Sequence, residues 1–158
     1  MKKVLFIAAL FHTVYSFSQK IEKNEIDKFT GVHHISTSME KISVGFGCSL
    51  IKNDSVLSLF IMYDCGSNVL TVTKDSEFLI RLTNAEILKL KVPQTAISRV
   101  VYGGSYLDMT FQLDSMLLNK LKLNSIESVR FDTSKFYITR NVSKNDSKKL
   151  QALFNLIQ

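Results

Sequence analysis

The sequence predicts an α+β fold, mainly antiparallel β-sheet built from consecutive hairpins, with a short helix near 114–121 and a C-terminal amphipathic helix packed on the sheet. Three observations predict it. Strand-length apolar or alternating runs follow one another between short turns. Two later segments carry capping residues before helix-spaced apolar residues. The 158 residues, 22% charged and 46% hydrophobic, suit one domain and exclude wholesale disorder, collagen and coiled coil.

The first eighteen residues have the pattern of a signal peptide. Lys2 and Lys3 precede the apolar run Val4–Phe11, and Ser16–Ser18 provides a small-x-small cleavage site. The apolar run is too short to span a bilayer, which takes about 20 residues. We therefore expect a signal peptide over 1–18 and a single β-rich globular domain over 19–158. No cysteine directly follows the run, so we expect no lipoprotein anchor. No later segment is long and apolar enough to span a membrane, so we expect no membrane span and a periplasmic or secreted product.

The first predicted hairpin joins 44–52 to 55–63 across the turn Asn53-Asp54. One of its faces is wholly apolar. On the other face small glycines lie opposite large side chains, with Gly47 opposite Phe60, a pattern that suits close approach by another layer. The second strand is apolar on both faces and is expected to be central in the sheet.

Three further hairpins follow, each with apolar residues alternating on both sides of a short turn. Each predicted register gathers apolar side chains on one face. The predicted hairpins are 76–82 with 86–92 around 83–85 (Ile80 beside Leu88, Phe78 beside Leu90, Glu77 beside Lys91), a hairpin at Gly103-Gly104 (Arg99 beside Asp108, Val101 beside Tyr106), and 126–132 with 135–142 (Phe131 beside Phe136, Val129 beside Ile138).

Two helices complete the predicted fold. Asp114 is a capping residue before a short helix that runs to about Leu121. Ser143 starts the last helix, with Asp146 in the capping-box position. An amphipathic stripe at i, i+3, i+4 and i+7 then predicts packing on the domain's own sheet rather than on a membrane. The stripe consists of Leu150, Leu153, Phe154 and Ile157.

Charge is unevenly distributed along the chain. Residues 119–158 contain eight basic and three acidic residues, whereas residues 20–118 contain ten basic and eleven acidic ones. A basic C-terminal third is compatible with weak contact with an anionic surface or partner, although a solvated lysine face is the simpler interpretation. Export and the lack of a recurring basic–aromatic motif argue against nucleic-acid binding.

The sequence contains none of the recognised catalytic motifs: no HExxH, GxSxG, P-loop or CxxC. Cys65 is the one candidate thiol nucleophile, with His33 or His34 as its base, but the neighbouring Asp64 disfavours a thiolate. The adjacent histidines point to opposite faces of a strand and do not readily ligate one ion. Two acidic pairs could in principle perform glycosidase chemistry. These pairs are Asp64 with Asp75 and Asp27 with Glu40.

The two cysteines allow a disulfide in an exported protein. In the predicted register Cys48 lies opposite Leu59, which leaves Cys65 roughly 20 Å further along an extended strand. A disulfide needs Cα atoms within about 7 Å, so the segment 64–67 would have to fold back. The alternative is a buried Cys48 and a more exposed Cys65.

A set of short segments carries a resemblance: Glu25–Gly31, Thr37–Lys41, Leu82–Glu86, and an ending in which Ile126–Phe131 and Phe136–Ile138 precede a lysine-rich helix. Together they resemble uncharacterised small exported β-rich proteins of Gram-negative bacteria, a group with no assigned activity. The resemblance implies export and a β-rich fold, and it transfers no site residues. Where such proteins have an Asn-Gly turn, this chain has Asn84-Ala85, which implies a three-residue loop.

We therefore predict an exported, non-catalytic binding or structural protein of the cell envelope, with no catalytic, cofactor-binding or metal-binding residue assigned. The alternative is a carrier of a small apolar ligand in a curled sheet or barrel, although the chain has no tryptophan and so lacks the lipocalin motif. A third hypothesis is a small hydrolase-type enzyme that uses Cys65 or an acidic pair. A pocket that gathers His33, Asp64 and Cys65 would support that third hypothesis.

Overall fold

The structure, a computed structural model, describes residues 19–101, 103–133 and 136–157. The predicted signal peptide lies outside the described residues. Within these ranges the chain forms an α+β fold, as predicted, with thirteen strands and two helices. The strands are β1 Ile21–Ile26, β2 His33–Thr37, β3 Glu40–Ser43, β4 Phe46–Asn53, β5 Val56–Gly66, β6 Thr71–Val72, β7 Glu77–Leu82, β8 Ile87–Lys91, β9 Ala96–Ile97, β10 Arg99–Val101, β11 Gly104–Gln112, β12 Ile126–Asp132 and β13 Tyr137–Asn141. The helices are α1 Ser115–Leu123 and α2 Lys144–Leu156.

The strands form two main antiparallel sheets and one small one. A seven-stranded sheet has the order β1-β2-β4-β5-β11-β10, and β3 pairs with β4 beyond the end of β2. A four-stranded sheet has the order β13-β12-β7-β8, and β6 pairs with β9. As predicted from its apolar residues, β5 is central in the larger sheet, between β4 and β11.

The core lies between the apolar inner faces of the two main sheets. Phe78 of the smaller sheet is fully buried and its ring lies 6.1 Å from that of Phe46 and 5.8 Å from that of Phe111, both on the larger sheet. Helix α2 contacts β12 of the smaller sheet and β3 and β4 of the larger one. The helix therefore closes one side of the interior, and the outer faces of both sheets remain exposed to possible partners.

The predicted features with strong local signals are confirmed. Both helices start at the expected caps: Asp114 accepts a hydrogen bond from the amide of Leu117, and Ser143 accepts one from the amide of Asp146. The stripe on α2 is buried against the core. In the β7–β8 hairpin Ile80 pairs with Leu88 across a three-residue loop in which Ala85 has a φ of 68°.

The other three hairpin registers are wrong by two residues. In the first, Phe46 rather than Val44 pairs with Tyr63. The pairing shifts because the turn is Asp54-Ser55, where Asp54 has a φ of 50° and exchanges two hydrogen bonds with the backbone of His33 on β2. The corresponding pairs in the other two hairpins are Arg99 with Tyr106 and Val101 with Gly104, and Phe131 with Ile138 and Val129 with Arg140. Since a shift of two preserves the face of every side chain, the predicted faces survive.

Candidate functional site

The proposed thiol nucleophile is in a poor environment for chemistry. Cys65 is 5% exposed against 1% for Cys48, so it is the more exposed of the two, as expected, although it too is buried. Its thiol lies 3.6 Å from the carbonyl oxygen of Tyr63 and beside Ser98. Burial raises the pKa of this thiol, Ser98 partly offsets that shift by hydrogen bonding, and the carboxylate of Asp64 raises it further. The thiol is therefore protonated at neutral pH, which disfavours nucleophilic attack.

The two cysteines are free thiols in the structure. Cys48 pairs with Ile61 on β5, and Cys65 lies four residues further along the same strand, roughly 13 Å away. The segment after β5 does not fold back, so the geometry for a disulfide is absent at these two positions. Burial raises the pKa of the Cys48 thiol as well.

The structure does not gather His33, Asp64 and Cys65. The start of β2, which carries His33, pairs with the end of β4 near Asn53, which itself pairs with Val56. Cys65 is at the far end of β5, roughly 30 Å from Val56 in an extended strand. We therefore drop a cysteine–histidine mechanism at this site.

Both histidines are held by asparagine side chains. His33 donates from Nε2 to Asn24 Oδ1 at 2.6 Å, and His34 donates from Nδ1 to Asn53 Oδ1 at 2.7 Å. In the part of the chain that the structure describes, no three His, Cys, Asp or Glu side chains cluster so that they could hold a metal ion.

The acidic pairs have separate structural surroundings. Asp27 Oδ1 accepts hydrogen bonds from the amides of Phe29 and Thr30, both at 2.8 Å, which lower the pKa of its carboxyl. Glu40 pairs with Cys48, five residues along β4 from the end near Asp27, or roughly 17 Å. Glycosidase carboxyls lie within about 9.5 Å of each other, so Asp27 and Glu40 do not fit.

The carboxylate of Asp64 also has a local role. Its Oδ1 accepts a hydrogen bond from the amide of Gly66 at 2.8 Å, where the chain leaves β5. Asp75 lies in the turn before β7, in which the amide of Ser76 bonds to the carbonyl of Thr73. Each aspartate of this pair thus lies at a turn, as expected for structural carboxylates.

The outer face of the four-stranded sheet and the start of α2 form a surface rich in cations. Arg81 and Arg130 line a cleft of about 350 Å³ on the sheet. Lys144 and Lys148 line a neighbouring cleft of about 460 Å³, and Glu127 lines both clefts. We call Arg81, Arg130, Lys144 and Lys148 the basic surface; these four cations face a single carboxylate across the two clefts.

The arginines of the basic surface are held in place by their neighbours. Arg130 lies 4.7 Å from the ring centroid of Tyr137 and donates to the Thr139 hydroxyl at 3.1 Å. Arg81 donates to Glu127 at 3.0 Å, with both side chains about half exposed. Stacking and ion pairing orient the guanidinium groups, which reduces the conformational entropy lost when they bind an anion.

The outer face of the seven-stranded sheet is different. Met39, Ile51 and Phe60 line a cleft of about 360 Å³. A second cleft of about 350 Å³ continues from it along the β1–β2 hairpin and is lined by Glu25 and Asp27. Lys23 and His34 line both clefts, so the two are contiguous. We call the combined feature the hairpin groove.

Met39 reaches the apolar end of the groove from the link between β2 and β3. Its sulfur would lie 3.1 Å from a Cβ atom at Gly47, so glycine at that position leaves room for the methionine. The small-against-large pattern of the first hairpin is therefore filled by one side chain, with Gly47 paired to Met62. At Gly47, the close approach that the sequence predicts is made by a single methionine side chain and not by a further layer of the fold.

The tip of the β1–β2 hairpin presents a fully exposed aromatic ring. Phe29 is 99% exposed. The loop that carries it is ordered by the Asp27 carboxylate and by a hydrogen bond from the Gly31 amide to the Asp27 carbonyl, with Gly31 at a φ of 73°. Glycine adopts such a φ at lower cost than residues with a Cβ, so Gly31 favours this turn.

Sequence reasoning missed most of these surface residues. It assigned the basic character to residues 119–158, whereas strand pairing brings Arg81 beside Ser128 and so adds a cation from a nearly neutral part of the chain. Of that basic third, Lys120 is paired with Glu86 at 2.6 Å, and Lys135 lies outside the described residues. The outward positions of the alternating strands carried the signal for Phe60 and Arg81, but alternation alone does not show which outer face stays uncovered.

No helix in the described ranges is long and apolar enough to cross a membrane. No family model, curated protein or solved structure was found to match this chain.

Proposed function

We propose that this is an exported, non-catalytic binding or structural protein of the cell envelope that contacts an anionic surface through its basic C-terminal third. The observation that carries the proposal is the basic surface. Arg130, Lys144 and Lys148 belong to that third, and Arg81 joins them through the sheet. Export itself rests on the predicted signal peptide.

The electrostatics of the basic surface favour an anionic partner. Lys144 and Lys148 are exposed, and the carboxylate shared by the two clefts is already paired with Arg81. A lysine or arginine near an anionic membrane contributes about 1 kcal/mol of attraction, so four such groups would support weak, salt-sensitive binding. The anionic leaflet of an envelope membrane is the surface that we propose.

The buried thiols, and the Asp27 and Asp64 carboxylates that accept backbone hydrogen bonds at turns, support a non-catalytic function. The carrier alternative receives little support from the interior between the sheets, where the core side chains meet. Phe78, Phe131 and Leu50, which face that interior, are less than 2% exposed. The clefts described above all lie on outer faces or at the start of α2.

Vesicle binding tests the proposal. The wild-type mature domain should sediment with phosphatidylcholine vesicles that contain phosphatidylglycerol, and not with phosphatidylcholine alone. The double variant Lys144→Glu and Lys148→Glu should bind at least about tenfold more weakly, because two attractive charges become repulsive. A glutamate at position 144 lies in the first turn of α2, where negative charge stabilises a helix, so the fold should be retained.

The matched control is the double variant Lys28→Glu and Lys41→Glu, which changes the net charge by the same amount at two exposed lysines, one on the β1–β2 loop and one on β3 of the seven-stranded sheet. It does not touch the basic surface and should leave most of the binding intact. Equal loss in both variants, or binding to neutral vesicles, would show that the basic surface does not make the contact.

A further inference from the structure

We propose that the hairpin groove binds an extended peptide segment that carries an apolar side chain and, four residues away, a basic side chain. The groove lies on the seven-stranded sheet, and the basic surface lies on the four-stranded sheet and α2. The inference therefore does not rest on the membrane contact proposed above.

The apolar end of the groove suits one large side chain. Ile51 and Phe60 are half-buried on the outer face of adjacent strands, and Met39 is 43% exposed beside them. Methionine has three rotatable bonds and adapts to the shape of an apolar partner. It lies over Gly47, where no side chain competes with it for space.

The charge of the opposite end favours a basic side chain. Glu25 and Asp27 line that end, Glu22 lines the apolar end, and Lys23 is their one cation within the two clefts. Lys23 is ion-paired with Glu25 at 3.1 Å. Three carboxylates against one lysine give the groove an excess of two negative charges. Hydrogen bonds from the amides of Thr30 and Phe29 lower the pKa of the Asp27 carboxyl.

The spacing of the two ends indicates the length of the peptide. Val32 lines the acidic end and Ser36 lines the apolar end, four residues apart on the chain that runs through β2. That separation is roughly 13 Å in an extended strand. In an extended peptide the side chains at i and i+4 are the same distance apart and point to the same side.

Polar groups between the two ends fit a peptide backbone. His34 lies where the clefts meet and its Nδ1 is held 2.7 Å from Asn53 Oδ1, which leaves Nε2 for a hydrogen bond with a peptide backbone group. The Ser36 hydroxyl lines the same wall. A backbone in this position would satisfy its hydrogen bonds against β2 side chains, as a bound extended segment requires.

The experiment is an amide-shift titration of the mature domain with the blocked heptapeptide Gly-Phe-Ser-Thr-Ser-Lys-Gly and with its reversed sequence. We expect at least one direction to shift the amides of His34, Ile51 and Phe60. Replacing the peptide phenylalanine with serine should weaken binding about tenfold or more. Replacing its lysine with glutamate should also weaken binding, most strongly at low salt.

Two sets of protein variants complete the test. Phe60→Ala should weaken the parent peptide about tenfold, with retention of the fold checked on the same amide spectrum. Glu22→Gln with Glu25→Gln leaves exposed positions polar and should remove the preference for lysine over glutamate. Glu77→Gln with Asp132→Asn is the matched control on the four-stranded sheet and should leave that preference unchanged.

Several results would overturn the proposal. These are no shift with either peptide up to its solubility limit, equal binding of the serine-substituted peptide, and shifts confined to residues outside the groove. Occupation by a second copy would appear as a dimer in sedimentation that Phe60→Ala dissociates. A co-purifying lipid in native mass spectrometry that Phe60→Ala removes would assign the groove to a small apolar ligand instead.

Discussion

The outer faces of the two sheets offer different surfaces to a partner. On the seven-stranded sheet, Ile51 and Phe60 form a half-buried apolar floor with carboxylates at one end. In the cleft on the four-stranded sheet, Arg81 and Arg130 flank Glu127, the one carboxylate that lines that cleft. The inner faces of both sheets are apolar because they pack against each other, whereas the outer faces are free to diverge. The outward-facing residues, which alternate with the core residues along each strand, therefore give each sheet its distinct binding surface.

The largest expected effect is the difference in the free energy of unfolding between a variant of an inner aromatic residue and a variant of an outer one. Phe78→Ala removes the ring that contacts both sheets and should lower the free energy of unfolding by about 3–5 kcal/mol. Phe60→Ala, on the outer face, should cost about 1 kcal/mol or less, because the ring is only half-buried. Urea denaturation measures both; equal losses would mean that the floor of the hairpin groove is part of the core.

A smaller effect should be confined to the basic surface. Ser143→Ala removes the hydrogen bond that Ser143 Oγ accepts from the amide of Asp146 and should cost about 1 kcal/mol. The first turn of α2, with Lys144 and Lys148, should then exchange amide protons faster and bind anionic vesicles more weakly. Peptide binding in the hairpin groove should not change, and a change there would show that the two surfaces are coupled through α2.

The ion pair within the basic surface should contribute less. A double-mutant cycle of Arg81→Ala and Glu127→Ala should give a coupling of about 0.5 kcal/mol in the free energy of unfolding, since both side chains are about half exposed. The coupling should decrease as salt is added. A salt-independent coupling above about 1.5 kcal/mol would indicate that this face is covered by another part of the protein in solution.

The smallest effect is a local pH dependence at the hairpin groove. The folded pKa of Asp27 lies below its ordinary value of 3.8 because the amides of Thr30 and Phe29 bind the ionised form. The stability that it contributes is therefore present above pH 3.8 and is lost as the pH falls through the folded pKa. Carboxyl chemical shifts of Asp27 should show the low pKa, and amide exchange at Phe29 and Thr30 should accelerate below it.

The control for that titration is Phe29→Ser at the same loop. Phe29 is almost fully exposed, so its replacement should leave the Asp27 titration and the melting temperature unchanged. An Asp27 pKa at or above its ordinary value, or a large loss of stability in Phe29→Ser, would contradict the description of the loop as ordered by the carboxylate.

Local signals explain which parts of the fold the sequence could predict. Asp114 and Ser143 cap helices through contacts within three residues, and Ala85 closes a loop whose flanking strands pair as their alternation requires. The register of the β4–β5 hairpin was not predictable in this way, since a shift of two residues leaves the face of every side chain unchanged. The actual register depends on Asp54 bonding to His33, a contact twenty-one residues away in the chain.

The candidate surfaces were less predictable than the fold because they depend on strands that are distant in sequence. Arg81 and Arg130 come together through β7–β12 pairing, and Met39 and Phe60 line one cleft because β3 and β5 both pair with β4. For Cys65, the neighbouring residues in the sequence correctly predicted an unfavourable thiolate. The burial of Cys65 was not predictable from those neighbours, because it depends on the pairing of β11 with β5.

Mapping the membrane contact residue by residue tests the central claim most directly. Amide spectra of the mature domain should be compared with and without bicelles that contain phosphatidylglycerol. We predict that the perturbed amides lie around Ser128–Arg130 and Lys144–Lys148, and that those of His34, Ile51 and Phe60 do not change. Perturbation of the hairpin groove with an unchanged basic surface, or no perturbation at all at low salt, would contradict the proposed contact.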